Sequence, residues 1–238
     1  MIVVLPMAGR GSRFAGSGYN TPKPFIMVEG KPMFALALSG LLDMAVSQLV
    51  IVALEEHVKQ FGIVEHLPES WRSKTTIVAI PDVTEGQLCT VLAASNYIDK
   101  EEDMLIVSSD TIVVSELAKE IKTLGAECGG LISVADMPGD RWSFARTDET
   151  GKVVEVAEKV HISNHASTGL YYFSSGKQFC TYGQQMVESK ETTKGEYYVI
   201  PVYKKYIDNN QWIGISEASA MHDLGTPDSL NEYLSTRK

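Results

Sequence analysis

Short aliphatic runs and longer amphipathic stretches alternate along the first half of the chain. Ile2, Val3, Val4 and Leu5 form an unbroken apolar run that stops at Pro6, the pattern of a strand buried on both faces. Similar runs predict strands over 48–53, 75–80, 104–108 and 130–135. Between them, 32–44, 55–62, 86–97 and 115–124 read as helices, the first opening on Pro32, where proline is tolerated. This order predicts an α/β chain with a largely parallel sheet and helices on both faces. The pattern then changes. Segments 142–147 and 152–158 flank an Asp148-Glu149-Thr150-Gly151 turn and predict a β-hairpin. A strand over 168–173, helices over 177–188 and 197–208, and a last strand over 212–215 complete the reading. No linker, repeat or low-complexity segment interrupts it, so one domain is expected over 1–238.

Composition narrows the classes. The chain has 238 residues, 44% hydrophobic and 21% charged, which is ordinary for a globular domain of this length. A formal net charge of −9 argues against nonspecific nucleic-acid binding, which needs a basic face. It leaves phosphate ligands open, because a few Arg, Lys and backbone amides can capture phosphate on an acidic protein. Cys89, Cys128 and Cys180 are isolated, with neither zinc nor redox spacing, as in a reduced chain. The apolar start is too short for a signal segment, and no run approaches the ~20 apolar residues of a membrane span. A cytoplasmic protein with no membrane partner is the expectation, and a homo-oligomer is left open.

Candidate chemistry begins just after the first strand, at Ala8-Gly9-Arg10-Gly11-Ser12-Arg13. The glycines let backbone amides approach a ligand, and Arg10 or Arg13 can add charge-assisted bonds to phosphate. Alone, two glycines after a strand are equally the mark of a plain turn. A dinucleotide-binding loop needs a third glycine where Phe14 stands, and a Walker loop needs Gly-Lys-Ser/Thr, so both are excluded. In Thr21-Pro22-Lys23-Pro24, two prolines restrict the direction in which Lys23 presents its ammonium. Asp110 follows an apolar strand and two serines, at the carboxyl end where open α/β sheets place ligands, and suits Mg²⁺. The alternative is a helix N-cap.

Gly-x-Gly-x-Arg followed by Pro-Lys-Pro resembles the sugar-phosphate nucleotidyltransferase family. The resemblance continues through Ser108-Ser109-Asp110, Val156-Ala157-Glu158-Lys159, Ser167-Thr168-Gly169-Leu170-Tyr171, Gly195-Glu196-Tyr197-Tyr198 and Asp223-Leu224-Gly225-Thr226-Pro227. It implies a Rossmann-like sheet with a smaller acceptor-binding β insertion, a nucleotide half over about 1–135 and an acceptor half over 136–238. It also implies attack by an acceptor phosphate on the α-phosphorus of a nucleoside triphosphate, with release of pyrophosphate.

The chain departs from the family at Met7-Ala8-Gly9, where Leu-Ala-Ala-Gly is common, and at Glu158-Lys159-Val160, where Glu-Lys-Pro is common. It also stops soon after Asp223, so neither a regulatory domain nor an acyltransferase β-helix is expected. These features look like a short branch associated with capsule and surface-polysaccharide genes, some of whose members are cytidylyltransferases.

On this reading Arg13, Lys23 and Asp110 are catalytic. The nucleotide is bound by residues 8–13, Lys23, Gly86, Gln87 and Ser109; Gln87 is equally a helix N-terminal residue. The acceptor is bound by Glu158, Lys159, Gly169, Glu196 and Tyr198. Asp110 and Asp223 hold Mg²⁺, with Asp223 equally able to cap the final helix. Neighbouring residues on a strand point to opposite faces, so Glu158 and Lys159 need not act together. His222 is expected to be solvent-facing or structural rather than a base. The rivals are a glycosyltransferase of related fold and a noncatalytic sugar-nucleotide sensor.

Overall fold

The computed structural model describes residues 1–237. Twelve strands occur among them: β1 (Ile2–Pro6), β2 (Met27–Val28), β3 (Lys31–Pro32), β4 (Gln48–Leu54), β5 (Thr75–Ile80), β6 (Met104–Val107), β7 (Thr111–Ser115), β8 (Cys128–Ala135), β9 (Ser143–Thr147), β10 (Val153–Glu158), β11 (Ala166–Phe173) and β12 (Trp212–Asp223). The helices are α1 (Ser12–Gly16), α2 (Met33–Ala37), α3 (Glu55–Gln60), α4 (Glu69–Arg72), α5 (Gln87–Leu92), α6 (Ser95–Ile98), α7 (Leu117–Ile121), α8 (Gly176–Glu188), α9 (Val202–Asp208) and α10 (Pro227–Ser235).

The main sheet runs β5-β4-β1-β6-β11-β8-β12-β7, and β9 joins β10 to β11 at its side. Neighbours from β5 to β6 are parallel, as are β8 and β12, while β11 is antiparallel to both β6 and β8. The expected Rossmann-like, mostly parallel α/β sheet with a small β insertion is what the chain forms. β1 lies between β4 and β6, which explains why its sequence is apolar at every position. Its side chains still divide by face. Ile2 and Val4 enter a core shared with α5, α6, α8 and α9, whereas Val3 and Leu5 enter a second core with α2, α4 and α7. Leu224, Leu230 and Tyr233 pack α10 against Phe14, Ile26 and Met33 in a third cluster, tying the chain's end to the Gly-rich loop.

Several expected boundaries differ. The helix over 32–44 is α2 followed by a 3-10 turn at Leu38–Leu41, within which Gly40 lies so close to β7 that a Cβ there would be 2.4 Å from the Val113 carbonyl oxygen. Segment 86–97 divides into α5 and α6. Residues Thr111–Ser115 form β7, which was not expected, so α7 begins only at Leu117. Pro201 delays α9 to Val202. The last strand runs to Asp223 rather than 215. It pairs with β8 through Glu217 and then changes partner to β7, where its Ser- and Ala-rich stretch carries too little hydrophobic pattern to read as a strand. No helix among the described residues is long and apolar enough to cross a membrane.

Candidate active site

The carboxyl ends of β1 and β6 open side by side on one crevice, as parallel pairing requires. From β1 the chain enters the Gly-rich loop, and Gly11 takes φ +62 as it turns into α1. A Cβ on Gly11 would sit 2.8 Å from the Lys23 Cβ, so this glycine lets the loop close over the lysine. Behind Lys23, Pro24 and Phe25 are buried, and Phe25 stacks on Phe61 at 4.5 Å. The lysine is therefore held from both sides, and its Nζ donates to Asp110 Oδ2 at 2.6 Å. Both side chains are about three-quarters buried (24% and 22% exposed). Burial alone would raise the Asp110 carboxyl, but the adjacent Lys23 charge and the hydrogen bonds from Lys23 and Thr111 outweigh it and hold the group below the usual aspartate range.

Asp110 precedes a strand, not a helix, so the capping alternative fails. In the β7–β12 ladder Thr111 faces Asp223, and the Leu224 N–H donates to the Asp110 carbonyl at 2.8 Å. The two carboxylates, far apart in sequence, thus flank Gly225. A Cβ built on Gly225 would lie 2.9 Å from Asp110 Oδ2 and 2.9 Å from Asp223 Oδ1. Nor does Asp223 cap α10, a role filled by Thr226 in a reciprocal box with Ser229. The Gly225 N–H donates to Asp223 Oδ1 at 2.9 Å. Asp223 Oδ2 is buried without a hydrogen bond, although Arg141 Nη2 stands 2.9 Å away, close enough for an ion pair but outside hydrogen-bond geometry.

Two cavities meet at Asp110. The first, about 550 Å³, is bounded by Ala8, Gly9, Gly11, Lys23, Gly86 and Ser109 among others. The second, about 640 Å³, is bounded by Arg13, Arg141, Trp142, Glu158, Lys159 and Gly169 among others, and includes Asp223. Gln87, Ser108, Asp110, Glu196 and Tyr198 line both and form the wall between them. Two glycines make this junction possible. Gly86 (φ +147) lies against the Tyr197 backbone, where a Cβ would be 2.3 Å from the carbonyl oxygen. The Tyr197 N–H donates to the Glu85 carbonyl, and the Leu88 N–H to the Tyr197 carbonyl, both at 3.0 Å. Gly169 (φ +86) forms part of an irregularity in β11 and brings its carbonyl to the Ser108 N–H at 3.0 Å.

Glu158 and Lys159 line the same cavity, contrary to the strand-alternation argument. Lys159 lies one residue beyond β10 with φ +56, and that turn cancels the alternation. Its ammonium donates to the Tyr198 hydroxyl and stands 4.4 Å from the centre of that ring, while the hydroxyl donates to Glu196 Oε2 at 2.6 Å. Glu158 is buried and accepts from the Ser143 hydroxyl, and loss of solvent pushes its carboxyl up. Burial, with Glu158 nearby, pushes Tyr171 up to about 12.

Three predicted residues lie elsewhere. Arg10 is exposed in a separate depression with Glu55, Glu56 and Lys59, and Ser12 is exposed at the first position of α1. Arg13 bounds the second cavity rather than the first. His222 packs against the Tyr233 ring at 5.3 Å. Sequence reasoning missed Arg141, Trp142, Ser143 and Lys194. The unusual Asp140-Arg141-Trp142 run before the hairpin was the available signal.

Among the described residues no group of three or more His, Cys, Asp or Glu is placed to hold a metal. A pair of carboxylates with one orphaned oxygen, meeting over Gly225, suits an ion that takes one or two protein carboxylates and completes its shell with phosphate and water, as Mg²⁺ does.

Fold and cavities define a Rossmann-like α/β protein in which a glycine-loop cavity and a second polar cavity share a carboxylate. The nucleotidyl transferase family profile matches residues 2–237, and the chain belongs to that family, whose members are nucleotidyltransferases. It is 24% identical to the UTP–glucose-1-phosphate uridylyltransferase AglF of Haloferax volcanii, covering 98% of this chain and 94% of that protein. It is 25% identical to the bifunctional protein GlmU of Methanocaldococcus jannaschii, of which the match spans only 54%. Among solved structures, the nucleoside-diphosphate-sugar pyrophosphorylase of Vibrio cholerae RC9 superposes with a TM-score of 0.85 at 24% identity, over 98% of this chain and 99% of that one. The inositol-1-phosphate CTP transferase of T. maritima superposes at 0.75 and 16% identity, over 99% and 93%.

Proposed function

We propose that this chain transfers a nucleoside monophosphate from a nucleoside triphosphate to a small phosphorylated acceptor and releases pyrophosphate. The observation that carries the reading is the pair of cavities meeting at Asp110, with Lys23 held against it. The triphosphate would occupy the first cavity, with the amides of the Gly-rich loop and Lys23 on its phosphates. The acceptor would occupy the second, its phosphate near Lys159 and Arg13 and its polar groups near Glu158 and Glu196. The acceptor oxygen attacks the α-phosphorus, the bond to the β-bridging oxygen breaks, and pyrophosphate leaves with that electron pair. No general base is required, because the acceptor phosphate is already an anion.

Asp110 and Asp223 would hold Mg²⁺, which when bound supplies electrostatic stabilisation of charge on the phosphoryl groups. The protein's own contribution is position and fixed charge. Lys23 keeps Asp110 ionised, Gly225 leaves the gap between the carboxylates open, and the wall through Gln87 and Glu196 sets one substrate against the other.

The acceptor is a sugar 1-phosphate or a similar phospho-metabolite. Support comes from the relatives, whose names pair UTP, CTP or thymidylyl transfer with 1-phosphates of glucose or inositol. We read the product as an activated precursor for capsule or another surface polysaccharide, made in the cytoplasm, with CTP among the candidate donors. The test is pyrophosphate release across five nucleoside triphosphates and a panel of sugar 1-phosphates, inositol phosphate and phosphocholine-like esters. Release that needs one member of each set is the expected result. Consumption of a sugar nucleotide without pyrophosphate would point to a glycosyltransferase, and binding without turnover to a sensor.

A further inference from the structure

Each carboxylate at the centre of the site is faced by a cation of the chain itself, and the two pairs are built differently. Lys23 is clamped by Gly11 and Pro24 and makes a directed hydrogen bond to Asp110. Arg141 belongs to the loop between β8 and β9 and is half-exposed. Its guanidinium carbon lies 4.2 Å from the centre of the Trp142 ring, so the plate rests on the indole. Its Nη2 is 2.9 Å from Asp223 Oδ2, yet that oxygen, on a side chain only 11% exposed, receives no hydrogen bond. Charge therefore holds Arg141 at Asp223 without the directed bonds that fix Lys23. The same arginine bounds the acceptor-side cavity, and it shares a neighbouring depression with Arg13.

We propose that Arg141 is a stand-in counter-cation: it neutralises Asp223 in the unliganded protein, a divalent cation displaces it, and it then grips the acceptor's phosphate. The proposal rests on the reading that Asp110 and Asp223 hold that cation. A divalent ion on Asp223 Oδ2 and a guanidinium 2.9 Å from the same oxygen would be like charges at close range, and Arg141, which lacks the directed hydrogen bond that fixes Lys23, is the cation that yields. The displaced guanidinium shifts relative to the Trp142 indole but stays within a cavity whose expected ligand is a phosphate. Its planar fork suits phosphate oxygens better than the single oxygen it now faces. The exchange links the two events. Metal binding frees a cation for the acceptor, and an acceptor phosphate that captures Arg141 clears Asp223 for the metal.

The experiment uses the whole chain without substrates. Free Mn²⁺ is followed by electron paramagnetic resonance, and tryptophan emission is followed during an Mg²⁺ titration. Arg141→Met should bind Mn²⁺ about fivefold more tightly than wild type, the upper range for an ion pair with one exposed partner. Wild-type emission should change on adding Mg²⁺, and the change should vanish in both Arg141→Met and Trp142→Phe. In turnover, Arg141→Met should raise the acceptor KM well above any change in the triphosphate KM, and Arg141→Lys should recover part of the loss. Equal Mn²⁺ affinity with unaltered emission would overturn the exchange while leaving the two-aspartate site intact. Weaker Mn²⁺ binding by Arg141→Met would also overturn it. Mn²⁺ binding by wild type no stronger than by Asp223→Asn would instead overturn the metal reading beneath it.

Discussion

Alanine at Gly225 places a methyl group where Asp110 and Asp223 converge. The glycine is not in the left-handed region, so alanine can take its backbone conformation, and the substitution acts through the methyl alone. That carbon would lie 2.9 Å from one oxygen of each carboxylate, roughly 0.6 Å short of an ordinary contact of about 3.5 Å. Both carboxylates can swing away, so the fold need not suffer. Replacing glycine at a tolerant position stabilises by about 0.4–1 kcal/mol through the unfolded chain, which offsets part of the crowding. The expected change in Tm is therefore within about 4 °C. Catalysis has less tolerance. A shift of about half an ångström in both carboxylates spoils the near-octahedral geometry that Mg²⁺ demands and misplaces the reacting phosphates. We expect kcat/KM to fall about 10- to 10²-fold and Mn²⁺ affinity to fall with it. Pyrophosphate release, paramagnetic resonance of free Mn²⁺ and a thermal melt are the three measurements. Full turnover with unchanged metal affinity would refute the convergence of the two carboxylates on one ion. A loss of stability proportional to the loss of activity would make Gly225 a packing residue.

Asp110→Asn and Asp223→Asn should each lower turnover about 10²–10³-fold, and the double variant should be little worse than either, because residues serving one ion are not additive; independent, multiplicative losses would separate them. Lys159→Ala should raise the acceptor KM far more than that of the triphosphate, and equal effects on both would remove it from the acceptor cavity. Glu158 has its carboxyl raised above the ordinary 4.5, chiefly by burial, so the fold favours its neutral form. That contribution to stability is complete below the unfolded value and is lost as pH rises through the folded one. Glu158→Gln should therefore gain stability over wild type as pH rises above about 4.5, then level off. A stability difference between wild type and variant that stays constant, or moves toward wild type, as pH rises would contradict the assignment.

The sequence by itself determined what short-range physics controls. Unbroken apolar runs such as 2–5 and 104–107, closed by a turn signal and rich in β-branched residues, fit the middle of a sheet, and the prolines around Lys23 restrict its direction whatever surrounds it. The Gly-rich loop and Asp110 were legible because each follows such a run, and Lys23 because two prolines flank it. The pairing of β12 with β7 was not legible. A strand of serines and alanines gains its place from the partner it meets, and no local pattern announces the partner. That ladder alone brings Asp223 to Asp110, and it leaves Gly225 between them. Tertiary contacts likewise placed Arg10 and Ser12 away from both cavities, turned Arg13 toward the second, and set Arg141 against Asp223. Glu158 and Lys159 carry the same lesson. Strand alternation separates them on paper, and a single residue at φ +56 returns them to one cavity. Local sequence can specify each element and its phosphate-binding residues. Which charges meet across the crevice is decided by packing between segments far apart in the chain.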